Sequence, residues 1–209
     1  MKIAHPERYC PFIFMNNGKN SRMYAKQEIM NITEKLDRIL PKNKEIIIIA
    51  IGSDRVTGDC LGPLVGEFLK ETGVWAYGNL TSPITALCVE EIWEMVRQRH
   101  PNAFILAIDS AVGESQDVGK IKVIPKGLRP ALGVGKNLPT VGHASVIGVV
   151  APFSEGGKSL ESIRLGNVFR MAKRIAKATA QTVASRNYKF FNADRNACIS
   201  SSEPIVIRK

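Results

Sequence analysis

Two continuous apolar runs, at residues 46–51 directly after Glu45 and at 104–108, are the clearest pattern in the chain and predict strands over 45–51 and 103–108. Runs of this length without alternating polar positions are typical of strands that are buried on both faces, as in a parallel sheet. Residues 119–125 instead alternate apolar and charged positions, which predicts an edge strand. Further strands are predicted over 74–77 and 144–150, and helices over 21–40, 61–71, 86–99 and 160–185.

The alternation of strands and helices predicts an α/β fold. We expect a three-layer sandwich of the phosphorylase/hydrolase-like kind, with a twisted, largely parallel sheet and helices on both faces. A chain of 209 residues fits a single domain. Within it we expect an N-terminal extension and packing helix (1–44), the α/β core (45–186) and a C-terminal tail (187–209), in which 204–207 could add an edge strand.

Composition and charge narrow the class of protein. No apolar stretch reaches the roughly 18 residues that a membrane span needs, and the first residues show no apolar signal-peptide core. The four cysteines are scattered without a Cys-x-x-Cys pair, which favours reduced thiols in the cytoplasm over a zinc site. We therefore expect a cytoplasmic protein without a membrane partner.

The net charge of +10 is concentrated on the flanks. Residues 160–209 hold ten Lys or Arg against three Asp or Glu, which gives +7. A basic flank can bind nucleic acid or an acidic partner, but we expect a solvated helix face and no nucleic-acid partner. The apolar stripe of this helix should pack on the sheet: Leu165, Val168, Ala172, Ile175 and Thr179.

Two glycine-rich segments fail the nucleotide-binding patterns that they resemble. The segment 156–159 follows a strand, but a phosphate-binding loop needs glycine five residues before Gly157, where Pro152 stands. The segment 133–138 ends in leucine where a dinucleotide fingerprint needs glycine. Neither segment therefore predicts nucleotide chemistry.

Polar residues beside the predicted strands are the candidates for chemistry. Asp59 follows the first apolar run and Asp109 directly follows the second, so both should lie beyond the carboxyl ends of parallel strands, where α/β proteins bind ligands. His143 lies just before the strand at 144–150. Asp54 is a rival of Asp59, and Asp59 could alternatively be a helix N-cap. Paired carboxylates at one sheet edge indicate acid–base chemistry or a metal site.

The segment 51–63, Ile-Gly-Ser-Asp-Arg-Val-Thr-Gly-Asp-Cys-Leu-Gly-Pro, resembles the signature of the YyaC-type sporulation proteins of spore-forming Firmicutes. The segments 108–113 and 133–136 fit the same family, and the resemblance covers about 45–180. It implies a sporulation protein of the forespore or mother-cell cytoplasm.

That family is similar to the spore germination protease, an atypical aspartic endopeptidase that degrades small DNA-binding spore proteins. The two catalytic aspartates of that protease occupy a Thr-x-Asp-x-Leu-Gly-Pro loop and an Ile-Asp strand end, which match residues 57–63 and 108–109 here. The resemblance implies a peptidase-like core without a cofactor, with Asp59 and Asp109 as catalytic residues and a protein or peptide substrate, such as a small spore protein. We expect substrate contacts at Gly58, Gly62, Gly113, Gly133, Gly135 and His143, since glycine lets a backbone approach closely.

Two alternatives remain open. The fold also resembles that of hydrogenase maturation proteases, which implies a divalent metal held by Asp59, Asp109 and His143. A non-catalytic sporulation protein would instead dock on a partner through its basic helix, with contacts from Arg164, Arg170, Lys173, Arg174 and Lys177.

Overall fold

The computed structural model describes residues 18–130, 138–153 and 160–200. Over these residues the chain alternates helices and strands, as the sequence predicted. The helices are α1 (Gly18–Ile39), α2 (Leu61–Leu69), α3 (Val89–Arg99) and α4 (Leu165–Ser200), with a short 3₁₀ helix at Ser115–Asp117. The strands are β1 (Ile46–Ala50), β2 (Ala76–Tyr77), β3 (Phe104–Gly113), β4 (Ile121–Ile124) and β5 (Ala144–Pro152).

The five strands form one sheet in the order β2-β1-β3-β5-β4. All neighbours are parallel except β4, which runs antiparallel to β5 at the edge. The predicted α/β class with a largely parallel sheet and an edge strand near 119–125 is therefore confirmed. We call the side of the sheet where β1, β3 and β5 begin the amino edge, and the side where they end the carboxyl edge.

The side chains of β1 alternate between two hydrophobic cores, which shows that the sheet is covered on both faces. Ile46 and Ile48 belong to a core that also contains buried residues of α1, α2 and α4. Ile47 and Ile49 belong to a second core, which includes Val89 and Val96 of α3. Every residue of β1 is buried, as the run of β-branched residues predicted. The three-layer sandwich is confirmed.

Strand β3 continues five residues beyond its predicted end at 108, because its pairing with β5 runs on to Gly113. Its pairing with β1 stops at Ile108. There the chain after β1 turns away: the Ile51 N–H still donates to the Ile108 carbonyl (2.7 Å), but the Gly52 N–H donates to the Ile84 carbonyl (2.8 Å). A crevice thus opens between β1 and β3, and Asp109 is the first residue of β3 beyond the pairing.

This crevice is the point at which the strand order reverses. From β1 the chain continues to β2 on one side of the sheet and then to β3 on the other. Helix α2 packs in the hydrophobic core on one face of the sheet, and α3 packs in the core on the opposite face. Open α/β sheets bind their ligands at such a switch point, beyond the carboxyl ends of the strands.

Helix α4 is much longer than predicted and covers residues that had been assigned to a tail. It begins at Leu165 rather than 160 and extends to Ser200 rather than 185. No glycine or proline occurs between Gly166 and Pro204, so nothing in the sequence stops the helix earlier. The domain boundary drawn at 186 stays a prediction, and the possible strand at 204–207 lies outside the described residues.

Two arginines of α4 attach this helix to α1. Arg174 pairs with Glu28 (2.7 Å), and the buried guanidinium of Arg186 donates to the Leu40 carbonyl (2.6 Å) and to the Asp37 carboxylate (2.8 Å). The expectation that the cations of this helix face water is therefore wrong for Arg174. The predicted apolar stripe is confirmed except at its first position, because Leu165 is 55% exposed. None of the helices within the described residues is long and apolar enough to cross a membrane.

Candidate active site

The loop between β1 and α2 is folded tightly enough to fix the position of Asp59. Gly52 has φ +142°, and a Cβ at this position would overlap the backbone carbonyl oxygen of Asp59. An L-residue is strained at this φ and has no room here, so the loop requires glycine. The Ser53 backbone amide in this loop lowers the pKa of the Asp59 carboxyl group.

Asp59 does not cap the helix that follows. Cys60 is the N-cap residue of α2, it has αR dihedral angles, and no side chain bonds to the free N–H groups there. The Ser53 amide and the side chain of Ser110 on β3 instead lower the pKa of the Asp59 carboxyl group. Loop and strand therefore both act on this carboxyl group.

Asp109 faces the same crevice from β3. Its Oδ1 atom accepts a hydrogen bond from the Ser110 backbone N–H (2.7 Å). The negative charge of Asp59 raises the pKa of Asp109, so the two carboxyl groups interact electrostatically. Asp54, the rival candidate, lies exposed on the loop.

The pKa values of both aspartates are raised, chiefly because burial removes the carboxyl groups from water. For Asp59, hydrogen bonds from Ser53 and Ser110 oppose that effect. The pKa of Asp109 lies well above its ordinary value, because burial and the neighbouring Asp59 charge outweigh the one hydrogen bond from the Ser110 amide. Two such carboxyl groups titrate as a pair and retain a proton at a pH at which isolated aspartates are both ionised.

The buried Cys60 thiol lies beside this pair. Its pKa is raised by burial, and further by the negative charges of Asp54 and Asp59. A thiol held in its neutral form is a poor nucleophile. Cys60 is therefore part of the hydrophobic core rather than a second reactive group.

The glycines that were expected to touch substrate face protein atoms instead. The Gly58 N–H donates to the Leu160 carbonyl (2.8 Å), and a Cβ on Gly58 would lie 2.8–3.0 Å from atoms of Leu160. A Cβ on Gly62 would overlap the Ile51 carbonyl, and one on Gly113 would lie 2.9 Å from a methyl group of Val149. These three glycines allow close packing around the aspartates. Gly133 and Gly135 lie outside the described residues.

His143 is at the opposite edge of the sheet from the aspartates, which corrects its expected role. It lies beside Ile105, one residue before the pairing of Leu106 with Ala144, and therefore four residues before the position opposite Asp109. That separation is about 13 Å along the strands. The Asp59, Asp109 and His143 metal site is thus not formed. Among the described residues, no group of three or more His, Cys, Asp or Glu side chains could hold a metal ion.

At the amino edge His143 has a structural role. Its Nδ1 atom accepts a hydrogen bond from the Ile105 N–H (2.9 Å), an amide that β5 cannot reach because that strand begins only at Ala144. The imidazole also stacks on Phe104, with ring centroids 5.1 Å apart. Its pKa is lowered, first by partial burial and then by the positive charges of Lys44 and Arg97.

Ser53 and Ser110 are the site residues that the sequence interpretation missed. Each lowers the pKa of Asp59, and the Ser110 backbone N–H donates a hydrogen bond to Asp109. The only signal in the sequence was that Ser110 directly follows Asp109. Its second partner could not be inferred, since Asp59 is 51 residues away along the chain.

Comparison with known proteins places this site in a family. Residues 20–178 match the family described as a protein of unknown function, DUF1256. The chain belongs to this family. It is also 36% identical over 144 residues to the uncharacterized protein YyaC of Bacillus subtilis (strain 168), which covers 66% of this chain and 70% of YyaC. The resemblance inferred from residues 51–63 and 108–113 is thereby confirmed.

The expected likeness to hydrogenase maturation proteases is also found among solved structures. The [NiFe] hydrogenase maturation protease HycI from Thermococcus kodakarensis KOD1 matches with a TM-score of 0.46 and 18% identity, over 71% of this chain and 98% of that one. HybD from Thermococcus kodakarensis matches with a TM-score of 0.42 and 13% identity, over 66% and 99%. Both proteins are thus matched over nearly their full length.

Proposed function

We propose that this protein is a sporulation-associated, atypical aspartic endopeptidase with Asp59 and Asp109 as its catalytic pair. The proposal is supported by the position of two partly buried aspartates beside the switch point of the sheet and by the electrostatic effect of Asp59 on Asp109. Within the described residues, none of the ion pairs includes either aspartate. Carboxyl groups with raised pKa values in a crevice are characteristic of acid–base catalysis.

The chemistry follows from the shared proton. One ionised carboxylate takes a proton from a water molecule as the water oxygen attacks the scissile carbonyl carbon. The other, protonated carboxyl group donates a hydrogen bond to the carbonyl oxygen and supports the charge that develops there. On collapse of the tetrahedral intermediate, a proton passes to the leaving amine as the C–N bond breaks.

The proposed substrate is a protein or peptide, and small spore proteins are its leading candidates. This part of the proposal is supported by the match of residues 57–63 and 108–109 to the catalytic segments of the spore germination protease. A nucleotide substrate is not proposed, since neither glycine-rich segment matches a phosphate-binding pattern.

The test is cleavage of a purified small DNA-binding spore protein and of unfolded casein, followed by mass spectrometry. Asp59→Asn and Asp109→Asn should each lower the cleavage rate by about 10²–10⁴-fold, since each removes an acid–base group at nearly constant size. Asp54→Asn is the matched control in the same loop and should retain most of the activity. Full activity in either of the first two variants would refute the assignment, and loss confined to Asp54→Asn would move the site.

Exhaustive chelation separates the proposed mechanism from its metal-dependent alternative. A metal-free pair should cleave at the same rate before and after treatment with a chelator. Activity that is lost on chelation and restored by a divalent cation would assign the two carboxylates to a metal instead, with ligands other than His143.

A further inference from the structure

Half of strand β3 is paired on one side only. Its pairing with β1 ends at Ile108, whereas its pairing with β5 continues to Gly113. The burial of the strand changes at the same point, since residues 105–108 are buried and residues 109–113 are half-buried. An inner strand of the sheet therefore has a backbone edge without a strand partner, and that edge begins at Asp109.

The direction of the backbone groups shows which residues form this edge. In a parallel pair the N–H and C=O groups of one residue point to the same neighbouring strand, and successive residues alternate between the two sides. The even-numbered positions of β3 bond toward β1 (Phe104 and Ile108), and the odd-numbered positions bond toward β5 (Ile105 and Gly113). Ser110 and Val112 therefore point to the side on which β1 has ended.

Three backbone groups of this edge are available to another chain. The Ser110 N–H is already used, because it donates to Asp109 Oδ1 at 2.7 Å. The Ser110 carbonyl and the N–H and carbonyl of Val112 have no backbone hydrogen-bond partner among the described residues. A row of unpaired N–H and C=O groups is a template for a further extended chain.

The outer edge of the sheet is protected against such pairing, and this inner edge is not. At the outer edge, Lys120 and Lys122 of the β4 segment pair with Asp117, and charged side chains, lysine above all, keep other strands from adding. Residues 109–113 contain no lysine, arginine or proline, and Asp109 is their only charged residue. The edge is thus open where it carries a proposed catalytic residue.

We propose that this edge binds the substrate by β-strand addition, so that an extended polypeptide pairs with Ser110 and Val112. The inference rests on the proposed function and deepens it, because it names the substrate class: an unfolded segment that is recognised by its backbone. In this mode of binding the main-chain hydrogen bonds give the affinity, and alternate side chains of the peptide give the specificity. A folded protein should bind only where it offers such a segment.

Pairing at this edge also positions the scissile bond. Neighbouring strands lie about 4.8 Å apart, so the peptide backbone lies beside Asp109. In a complete ladder the Ser110 N–H would donate to a peptide carbonyl, but the Asp109 carboxyl group occupies that N–H. The peptide carbonyl at this position therefore meets the Asp109 carboxyl group, and it is the one to be attacked.

The experiment uses the Asp59→Asn protein, which should not cleave, with decapeptides of casein sequence that are blocked at both ends. Amide hydrogen exchange, followed by NMR, should be fast at Val112 and slow at Ala111, which faces β5. A saturating peptide should slow the exchange of the Val112 amide by about tenfold or more and leave that of Ala111 unchanged.

Two changes to the pairing groups test the contact itself. Val112→Pro removes the N–H group and should weaken peptide binding by about tenfold, whereas Val112→Thr keeps it and should bind like the parent protein. In the peptide, each amide is N-methylated in turn. Since a strand offers alternate amides to one neighbour, methylation should weaken binding at every second position only. The methylated peptides need no variant of Val112, so they decide the question even if Val112→Pro does not fold.

A Val112 amide that is protected in the free protein, or that keeps its exchange rate when a peptide binds, would overturn the inference. So would parent-like binding by a folded Val112→Pro protein, equal effects of methylation at all positions, or no peptide binding at about 1 mM. If peptides bind along the edge but the wild type cleaves none, the endopeptidase proposal fails alone. If the wild type cleaves casein without these signs of pairing, the β-strand addition fails alone.

Discussion

The two edges of the sheet carry similar residues in opposite electrostatic settings. At the amino edge, the buried His100 imidazole lies between the Glu45 carboxylate (3.3 Å) and the Tyr77 hydroxyl (2.9 Å). At the carboxyl edge, the charge of Asp59 raises the pKa of Asp109, and none of the ion pairs among the described residues includes either aspartate.

This difference separates residues that stabilise the fold from residues that the fold must hold in place. An imidazole between a carboxylate and a hydroxyl group has hydrogen-bond partners at both ring nitrogens. Two like acids in one crevice raise the free energy of the folded state when both ionise, so they persist only where the surrounding structure fixes them. Functional groups are commonly kept at such a cost in stability.

The largest expected effect on stability tests whether the loop after β1 holds Asp59 in a fixed position. Gly52→Ala should lower the free energy of unfolding by about 3 kcal/mol or more, because the new methyl group overlaps the Asp59 carbonyl and the φ of +142° is strained for alanine. It should also abolish any cleavage activity, since Asp59 must move. Urea denaturation and the cleavage assay measure both effects.

Gly73→Ala is the control for backbone strain alone. Gly73 has φ +73°, and a Cβ there would meet nothing within 4 Å. The substitution should cost about 1–2 kcal/mol, the usual penalty of a left-handed conformation, without loss of activity. Equal costs at the two positions would show that the loop after β1 adapts and does not hold Asp59 rigidly.

The sequence predicted much of this contrast, because it depends on local patterns and on one rule of sheet topology. The isoleucine run of β1 identified a strand buried on both faces, and Asp59 and Asp109 follow strands that end at one edge. His143 was misplaced although the sequence held the signal. A residue just before a parallel strand lies at the amino edge, opposite the residues that follow strands.

The remaining errors concern contacts between distant segments. Glycine at position 62 indicated a close approach of some backbone, but not that the partner is the Ile51 carbonyl rather than a substrate. The link from Ser110 to Asp59 depends on how the loop packs against β3, which no periodicity shows. The length of α4 could have been predicted, since the sequence has no helix breaker between Gly166 and Pro204.

The same acid-to-amide change should have opposite effects at the two edges. Asp109→Asn should stabilise the protein at pH 7 by about 1 kcal/mol, because it removes a carboxyl group whose raised pKa costs stability above the unfolded pKa, and it keeps an acceptor for the Ser110 amide. Glu45→Gln should destabilise it by about 1 kcal/mol, because it weakens the bond to His100. Urea denaturation of both variants at pH 7 measures the contrast.

The pH dependence of stability tests whether Asp109→Asn stabilises the protein for the reason given. Since the pKa of Asp109 is raised in the folded state, that state keeps the proton longer, and wild-type stability falls as the pH rises from the unfolded pKa through the folded one. Asp109→Asn should lack this fall, so its advantage should shrink as the pH decreases. A destabilised Asp109→Asn protein at pH 7 would mean that the carboxylate has a stabilising partner.

The smallest expected effect tests whether His143 belongs to the amino edge alone. Its pKa is lowered in the folded state, by partial burial and then by Lys44 and Arg97, so the fold favours the neutral imidazole that accepts the Ile105 N–H. The resulting stability is present above the unfolded pKa, about 6.5, and is lost as the pH falls through the folded pKa.

His143→Asn keeps an acceptor that does not titrate. The stability of this variant relative to the wild type should therefore rise slightly as the pH falls from 7 to 5, by less than about 1 kcal/mol. Urea denaturation at both pH values measures the change. Cleavage activity and its response to chelator should not change, since His143 lies four residues before the position opposite Asp109. A large loss of activity in a folded His143→Asn protein would show that the two edges are functionally coupled, and the contrast between them would no longer hold.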